Sequence, residues 1–99
     1  ILTNLAAGIA ISIWYDWRDD GTDPNEIEHH FGTIYPDGKP KPTYQAVQTL
    51  ARTLDAFRFH RRLRLDSPND HCLVFVKGTE VRLVAWTTDR EPHATRIPA

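Results

Sequence analysis

The period of the hydrophobic pattern changes near residue 55, and this change constrains the fold more than any other feature of the chain. Residues 42–54 carry apolar side chains at helical spacing, with Pro42 at the first-turn position that proline favours. From residue 56 onward, apolar and charged side chains alternate with a period of two, which is typical of β-strands. A helix followed by strands predicts an α+β fold, with one segment over 1–55 and a partial antiparallel β domain over 56–99.

Residues 57–65, "FRFHRRLRL", are predicted to form the first strand of the second segment. One face carries Phe57, Phe59, Leu63 and Leu65, the other carries Arg58, His60, Arg62 and Arg64, and Arg61 is the exception. Residues 72–86 predict a β-hairpin that turns at residues 77–79, Lys-Gly-Thr. Residues 93–99 predict the start of a further strand.

The first segment opens with "ILTNLAAG", which predicts the last turns of a helix with Gly8 at the C-terminal cap. "IAISIW", residues 9–14, follows as a short buried strand. Its bulky face carries Ile9, Ile11 and Ile13, and its other face carries Ala10, Ser12 and Trp14. Such a pair of faces is typical of a strand with a helix layer outside and a crowded interior on the other side.

Residues 16–42 predict a long loop that is rich in acids near its start. Loops of this length are usually functional or disordered, and the aromatic side chains of this one favour order. Within it, "YPDGKP" predicts a turn, because Pro36 presets φ and Gly38 accepts a positive φ.

Composition excludes several classes of protein. The formal net charge of -1 argues against a bulk nucleic-acid or anionic-membrane binder, and no apolar run approaches the roughly 20 residues of a membrane span. The single cysteine, Cys72, excludes an intrachain disulfide and a cysteine-rich zinc site. Because the chain contains no methionine, we expect it to be a piece of a longer protein.

Residues 8–54 resemble the end of the catalytic (β/α)8 barrel of retaining glycoside hydrolases, in the clan of the cellulase-like and β-xylosidase-like families. "HHFGTIYPDGKPKPTY" is similar to the phrase that joins the last barrel loop to the last helix. Trp14 stands where strand eight of those enzymes ends in a tryptophan that floors the subsite of cleavage. The resemblance implies the last βα unit of a TIM-type barrel, followed by the start of a β-sandwich. It also implies that both catalytic glutamates lie upstream of Ile1, so we assign no catalytic residue here.

Strand parity leads to the same tryptophan. Trp14 shares the small-residue face with Ser12 and stands at the carboxyl end of its predicted strand, where α/β barrels build their sites. An indole face can stack on a sugar ring, and nearby polar groups can hydrogen-bond its hydroxyls. We therefore predict a substrate-binding site of Trp14, framed by Asp16 and Arg18. The alternation of the strand places Tyr15 and Trp17 on the side of the outer layer, where we expect them to pack and not to bind sugar.

Other chemistries are weaker readings of the same residues. The acids Asp19, Asp20, Asp23 and Glu26 lack the spacing of a calcium loop, and a flexible acidic loop rarely buries a glycosidase carboxylate pair. His29 and His30 favour loop packing over metal binding, because no third ligand is evident. "RFHRRLR" lacks the interleaved aromatics of a nucleic-acid surface, and Cys72 has no base partner that would make it a nucleophile.

The sequence thus predicts the C-terminal part of a glycoside hydrolase that cleaves O-glycosidic bonds of a polysaccharide or oligosaccharide. We expect the isolated chain to be inactive and to use no cofactor or metal. Its expected partners are carbohydrate and the remainder of the barrel, with no nucleic acid and no membrane. Two alternatives stay open: a non-catalytic carbohydrate-binding or domain-packing module, and a structural interaction domain without a ligand. The compartment is left open, although secretion or periplasmic export is common for such enzymes.

Overall fold

The structure, a computed structural model, describes residues 1–98. Its elements in chain order are helix α1 (Leu2–Ala6), a 3-10 turn (Ile27–His30), helix α2 (Pro42–Thr53) and strands β1 (Arg58–Leu63), β2 (Asp70–Lys77) and β3 (Glu80–Thr87). The strands form one antiparallel sheet in the order β1-β2-β3, which confirms the α+β prediction. The chain divides into two compact units, one of residues 11–55 and one of residues 1–10 with 56 onward. No helix among residues 1–98 is long and apolar enough to cross a membrane.

The core of the second unit lies in the central strand β2. Four consecutive side chains, Cys72, Leu73, Val74 and Phe75, are each 5% exposed or less. Because the side chains of both faces are buried over these four residues, this part of the strand reads as a continuous apolar run and not as an alternation. Phe59 of β1 packs edge-to-face on Phe75, with ring centroids 5.9 Å apart. Full burial of such apolar side chains stabilises the fold by about 1.5–3 kcal/mol each.

The predicted hairpin is confirmed. Lys77 pairs with Glu80, so Gly78 and Thr79 form a two-residue turn between β2 and β3. Gly78 has a φ of +57°, the left-handed conformation that such hairpin turns require and that glycine adopts without a steric penalty.

The predicted faces of the first strand are wrong in one respect. The pairing of β1 with β2 shifts between Phe59 and Arg61, which leaves His60 as the extra residue of a β-bulge. Phe59 lies opposite Phe75 and Leu63 lies opposite Cys72, and those two partners are three residues apart on β2. Phe59 and Leu63 therefore occupy opposite faces of the sheet, whereas uninterrupted alternation would place them on the same face.

Helix α1 ends as its sequence predicts. Gly8 has a φ of +73°, its N–H donates to Leu5 O, and the N–H of Ile9 donates to Asn4 O. These two hydrogen bonds form the Schellman arrangement that closes a helix with glycine just after the cap. Helix α2 is confirmed as well, with Pro42 in its first turn.

Two predicted strands do not form. Residues 9–14 are irregular, and Ile11 and Ile13 are 75% and 90% exposed. A strand is held by backbone hydrogen bonds to a neighbouring strand, and no strand among residues 1–98 pairs with this segment. Residues 93–98 also form no strand, and Ala99 lies outside the described residues.

A buried carboxylate fixes the chain after β3 instead. Asp70, at the start of β2, is 4% exposed, and the ring Nε2 of His93 lies 2.9 Å from its Oδ1. The hydrogen bond from His93 lowers the pKa of Asp70 below its ordinary value, against the effect of burial. The same hydrogen bond raises the pKa of His93. Both shifts favour the charged forms of the two groups, and their contact ties the segment around residue 93 to the sheet.

Candidate functional site

The predicted site lies in the unit of residues 11–55, where two loop segments run side by side. Backbone N–H groups of Asp16 and Asp19 donate to Phe31 O and Ile34 O, at 3.3 and 3.1 Å. The N–H of Thr33 donates in return to Trp17 O at 3.0 Å, and its hydroxyl donates to the same carbonyl at 2.9 Å. The loop is thus ordered by backbone pairing, as its aromatic content predicts.

Asp19 anchors this pairing from the inside of the loop. Its side chain is 3% exposed, and its Oδ1 accepts hydrogen bonds from Lys41 Nζ at 2.6 Å and from the N–H of Gly32 at 2.9 Å. Burial by itself raises the pKa of Asp19, but the hydrogen bond and charge of Lys41, with the Gly32 N–H, outweigh it and hold the pKa below its ordinary value. Asp19 is therefore a buried, charged structural residue and not a solvated acid.

The turn predicted at 35–40 closes the other end of the loop. Tyr35 N–H donates to Lys39 O at 2.8 Å, and Gly38, with a φ of +86°, donates to Tyr35 O at 2.9 Å. This three-residue connection confirms the predicted turn and the positive φ predicted for Gly38. The turn thereby positions Lys41 for its ion pair with Asp19.

Trp14 is held at its polar edge and open elsewhere. The indole Nε1–H donates to Phe31 O at 3.1 Å, and the residue is 50% exposed. The same carbonyl accepts the backbone N–H of Asp16. One carbonyl therefore brings the edge of the Trp14 ring and the backbone of Asp16 together and leaves half of the tryptophan surface accessible.

Asp16 carries an unusual carboxylate oxygen. Its Oδ1 is buried and has no hydrogen-bond donor among the described residues. A buried acceptor without a donor costs about 1–3 kcal/mol, so a native structure normally provides a donor from protein, water or ligand. Arg18 does not provide it: its side chain is exposed, and no hydrogen bond or ion pair within residues 1–98 links it to Asp16 or Trp14.

The neighbouring aromatics behave differently from Trp14. Trp17 packs edge-to-face on Tyr44 of α2, with ring centroids 5.8 Å apart, and Tyr15 packs on Phe31 at 6.3 Å. Both nevertheless keep more than 60% of their surface exposed, so the outer layer predicted over them is absent from the described chain.

The loop histidines serve packing. His30 Nε2 lies 2.8 Å from Asp23 O, and His29 Nδ1 accepts the Asp23 N–H at 3.3 Å. Within residues 1–98, just one group of three potential metal ligands converges, Asp70, Asp89 and His93, and it lies in the other unit. Because His93 already hydrogen-bonds Asp70 there, this group is better described as an ion-pair cluster than as a metal site.

Sequence reasoning missed the structural role of Asp19. Six acids lie between Asp16 and Glu28, and no local feature separates Asp19 from the others. Its two partners, Gly32 and Lys41, are 13 and 22 residues away. The glycine of the "FG" phrase was the available signal, since glycine often marks a site where another backbone approaches closely.

Comparison with known proteins identifies a class. No protein-family model matches the chain, and no curated protein does. Among solved structures the chain is similar, with a TM-score of 0.68 and 38% sequence identity, to a glycoside hydrolase, and the chain is thus related to this class of enzyme. The particular neighbour is a family 39 glycoside hydrolase from the gut symbiont Bacteroides cellulosilyticus WH2. The similarity covers 77% of this chain and 15% of that one, so the chain spans about one seventh of the length of its relative.

Proposed function

We propose that the chain is the C-terminal part of a retaining glycoside hydrolase, built from the last βα unit of its barrel and the start of a β-sandwich. The observation that carries this proposal is the 38% identity to a segment of a glycoside hydrolase over most of the present chain. The neighbour is more than six times longer than the matched segment, which leaves room in such an enzyme for catalytic carboxylates outside the match.

Within this proposal, Trp14 is the sugar-stacking platform. Its Nε1–H is already committed to Phe31 O, so the ring has a fixed orientation before any ligand arrives. Half of its surface is accessible, and a pre-oriented aromatic ring loses little entropy when a sugar stacks on it. Asp16 is assigned to the same site because the Phe31 carbonyl, which accepts both the Trp14 Nε1–H and the Asp16 backbone N–H, places it beside Trp14. Arg18 forms the rim of the site.

The activity of the parent enzyme tests the first part. We expect the purified chain to release no product from aryl glycosides, because on this proposal both catalytic glutamates lie outside the segment that the chain matches. Turnover by the purified chain would contradict the proposal. The coding sequence before Ile1 gives an independent check, since it should encode about 250 residues with glutamates at two strand ends.

Variants of the encoded full-length protein test Trp14. Trp14→Ala should lower kcat/KM by about tenfold, because an aromatic stacking contact is worth roughly 0.5–1.5 kcal/mol beyond the area it buries. Trp17→Ala is the matched control, since Trp17 is an exposed tryptophan three residues away (64% against 50% for Trp14), and it should change kcat/KM by no more than about twofold at equal melting temperature. Equal losses of kcat/KM in both variants would contradict the assignment of Trp14 to the substrate site.

A second candidate function is a domain-packing or non-catalytic carbohydrate-binding module. The exposure of Ile11 and Ile13 favours packing against another domain. Titration of the purified chain with oligosaccharides, followed by tryptophan fluorescence, separates the candidates. Saturable binding by the isolated chain supports the module, whereas its absence supports a subsite completed by other parts of an enzyme.

A further inference from the structure

The edge strand β1 carries a concentration of arginine. Four of the twelve lysine and arginine side chains of the chain lie within residues 58–64, and all four are exposed. We call this surface the basic edge and define it by Arg58, Arg61, Arg62 and Arg64. None of the four forms an ion pair with a carboxylate among residues 1–98. By contrast, Lys39 and Lys41 each pair with an aspartate in their own loop.

The β-bulge at His60 arranges these charges. Arg58 lies opposite Val76 and Arg61 lies opposite Val74, so the bulge puts both arginines on one face, as neighbours two register positions apart. Arg62 lies opposite Leu73 and therefore faces the other side of the sheet. Because β1 is the outermost strand of the described sheet, arginines flank this edge on both faces. A linear anionic chain lying along the edge can contact both faces at once.

A groove adjoins the basic edge. A cavity of about 430 Å³ is lined by Arg62 and Arg64, with Ser67 and Pro68 among its other walls. This volume lies within the range of small-molecule sites. Asp70 also lines it, but its carboxylate is occupied by His93 at 2.9 Å. Arg62 and Arg64 line the groove without an ion pair among the described residues and suit an anionic ligand, whereas the Ser67 hydroxyl accepts the Asn69 N–H at 3.2 Å.

Two simpler explanations fit less well. Charges on an edge strand prevent edge-to-edge aggregation, but that role does not account for a groove lined by two of the arginines. A single-stranded nucleic acid requires aromatic faces on which bases stack. Phe59 is packed on Phe75, and Phe57 is covered by Arg82, whose guanidinium carbon lies 4.3 Å from the ring centroid. No free aromatic face therefore lies along the basic edge.

We infer that the basic edge binds an anionic polysaccharide whose sugars carry carboxylates or sulfates. Guanidinium groups bind either anion in bidentate fashion, and a polysaccharide repeats the anion along a line as the strand repeats the arginines. This surface lies in the unit that contains the sheet and does not depend on Trp14 or on glycosidase activity.

Binding of the purified chain to immobilised polysaccharides tests the inference. Polygalacturonate supplies carboxylates, dextran sulfate supplies sulfates, dextran is the neutral control, and single-stranded and duplex DNA test the nucleic-acid reading. We expect binding to at least one anionic polysaccharide and none to dextran. Affinity should fall by at least about tenfold between roughly 50 and 200 mM salt, as for other polyanion contacts made by several basic groups.

A charge-matched pair of variants locates the surface. Arg61→Gln/Arg62→Gln/Arg64→Gln should weaken binding by about tenfold or more, since each exposed pair is worth roughly 0.2–1 kcal/mol, or up to about fivefold. The control removes three exposed basic side chains elsewhere, Lys39→Gln/Arg52→Gln/Arg90→Gln, and should weaken binding by about twofold or less.

The milder variant Arg62→Lys/Arg64→Lys keeps the charge and guards against misfolding of the triple variant. It should retain salt-dependent binding while losing the bidentate contacts, with a loss of a few fold. Equal weakening by the two triple variants would overturn the inference, as would the absence of binding to both anionic polysaccharides at low salt. Tighter binding to DNA than to either polysaccharide would make the surface a nucleic-acid site instead.

Discussion

Gly32 is the position where one added methyl group should most disturb the loop that presents Trp14. A Cβ on Gly32 would overlap the backbone nitrogen of Asp19 and the carbonyl carbon of Arg18, and it would lie 2.8 Å from Asp19 Oδ1. Backbone atoms of a paired segment cannot rotate away as a flexible side chain can. Gly32→Ala must therefore separate the two segments and break the hydrogen bond from Gly32 N–H to Asp19.

The size of the effect follows from this clash. Overpacking by one methyl group in a closely packed site costs about 1–3 kcal/mol, and a clash with backbone places Gly32→Ala at the upper end of this range. Gly38→Ala is the matched control. Gly38 has a φ of +86° with nothing within 4 Å of the added Cβ, so the substitution costs only the left-handed strain of about 1–2 kcal/mol. Gly32→Ala should therefore destabilise the loop more than Gly38→Ala.

Urea unfolding followed by tryptophan fluorescence measures this difference. In a Trp86→Phe background the remaining fluorophores are Trp14 and Trp17, both in the unit of residues 11–55. In thermal unfolding, which gives a second measure of the same loss, each kcal/mol of destabilisation should lower the melting temperature by about 4–8 °C in a chain of this size. An unchanged unfolding midpoint for Gly32→Ala, or a larger loss for Gly38→Ala, would refute the close approach of the two segments.

Three further predictions concern the sheet unit. Phe75→Ala should destabilise it by about 3–5 kcal/mol and abolish cooperative thermal unfolding by circular dichroism, because Phe75 is 1% exposed at the centre of the sheet. Burial raises the pKa of the Cys72 thiol, so a thiol reagent should modify Cys72 only as fast as the sheet opens, and labelling as fast as in urea would contradict its burial. The pKa of His93 is raised chiefly by its hydrogen bond to Asp70, so the stabilisation from this group is full below its ordinary value of 6.5 and is lost as the pH rises through its folded value. The pKa of Asp70 is lowered, so its stabilisation is present above pH 3.8 and is lost as the pH falls through the folded pKa of Asp70. The free energy of unfolding, measured at several pH values, checks the pH range between these two limits. The variant Asp70→Asn removes both effects and serves as the comparison.

The parts of the fold that depend on local patterns follow from the sequence. Helix α2 and the hairpin at Gly78 are each specified within a few residues, by a first-turn proline with an apolar stripe and by a glycine turn between apolar runs. The bulge at His60 could not be predicted, because "RFHRRLR" contains no glycine or proline to mark it. Its position depends on how β1 matches β2, and only the pairing of Phe59 with Phe75 and Leu63 with Cys72 reveals it.

In the candidate site, too, some features could be predicted from the sequence, whereas others depend on contacts between distant residues. The parity argument for Trp14 assumed a strand over residues 9–14 that the described chain does not form, so the resemblance and the half-exposed, hydrogen-bonded ring are what support this prediction. The predicted strand of residues 9–14 was wrong for the described chain because it depends on neighbours that the sequence of the segment does not specify. The role of Asp19 depends likewise on long-range contacts to Gly32 and Lys41.

In the unit of residues 11–55, polar residues are buried and several large apolar side chains are exposed. Its fully buried residues are Asp19, Gly32 and Thr33, whereas α2 buries no residue completely. Ile13 is 90% exposed, and each such side chain forgoes about 1.5–3 kcal/mol of hydrophobic stabilisation. Hydrogen bonds and one buried ion pair therefore order this loop, and a net contribution of only about 0.5–1.5 kcal/mol per hydrogen bond offers a small margin against the conformational entropy of 45 residues. An apolar partner surface over Ile13 and its neighbours would supply the hydrophobic stabilisation that this unit lacks by itself. This supports the proposal that the unit packs against the remainder of a barrel.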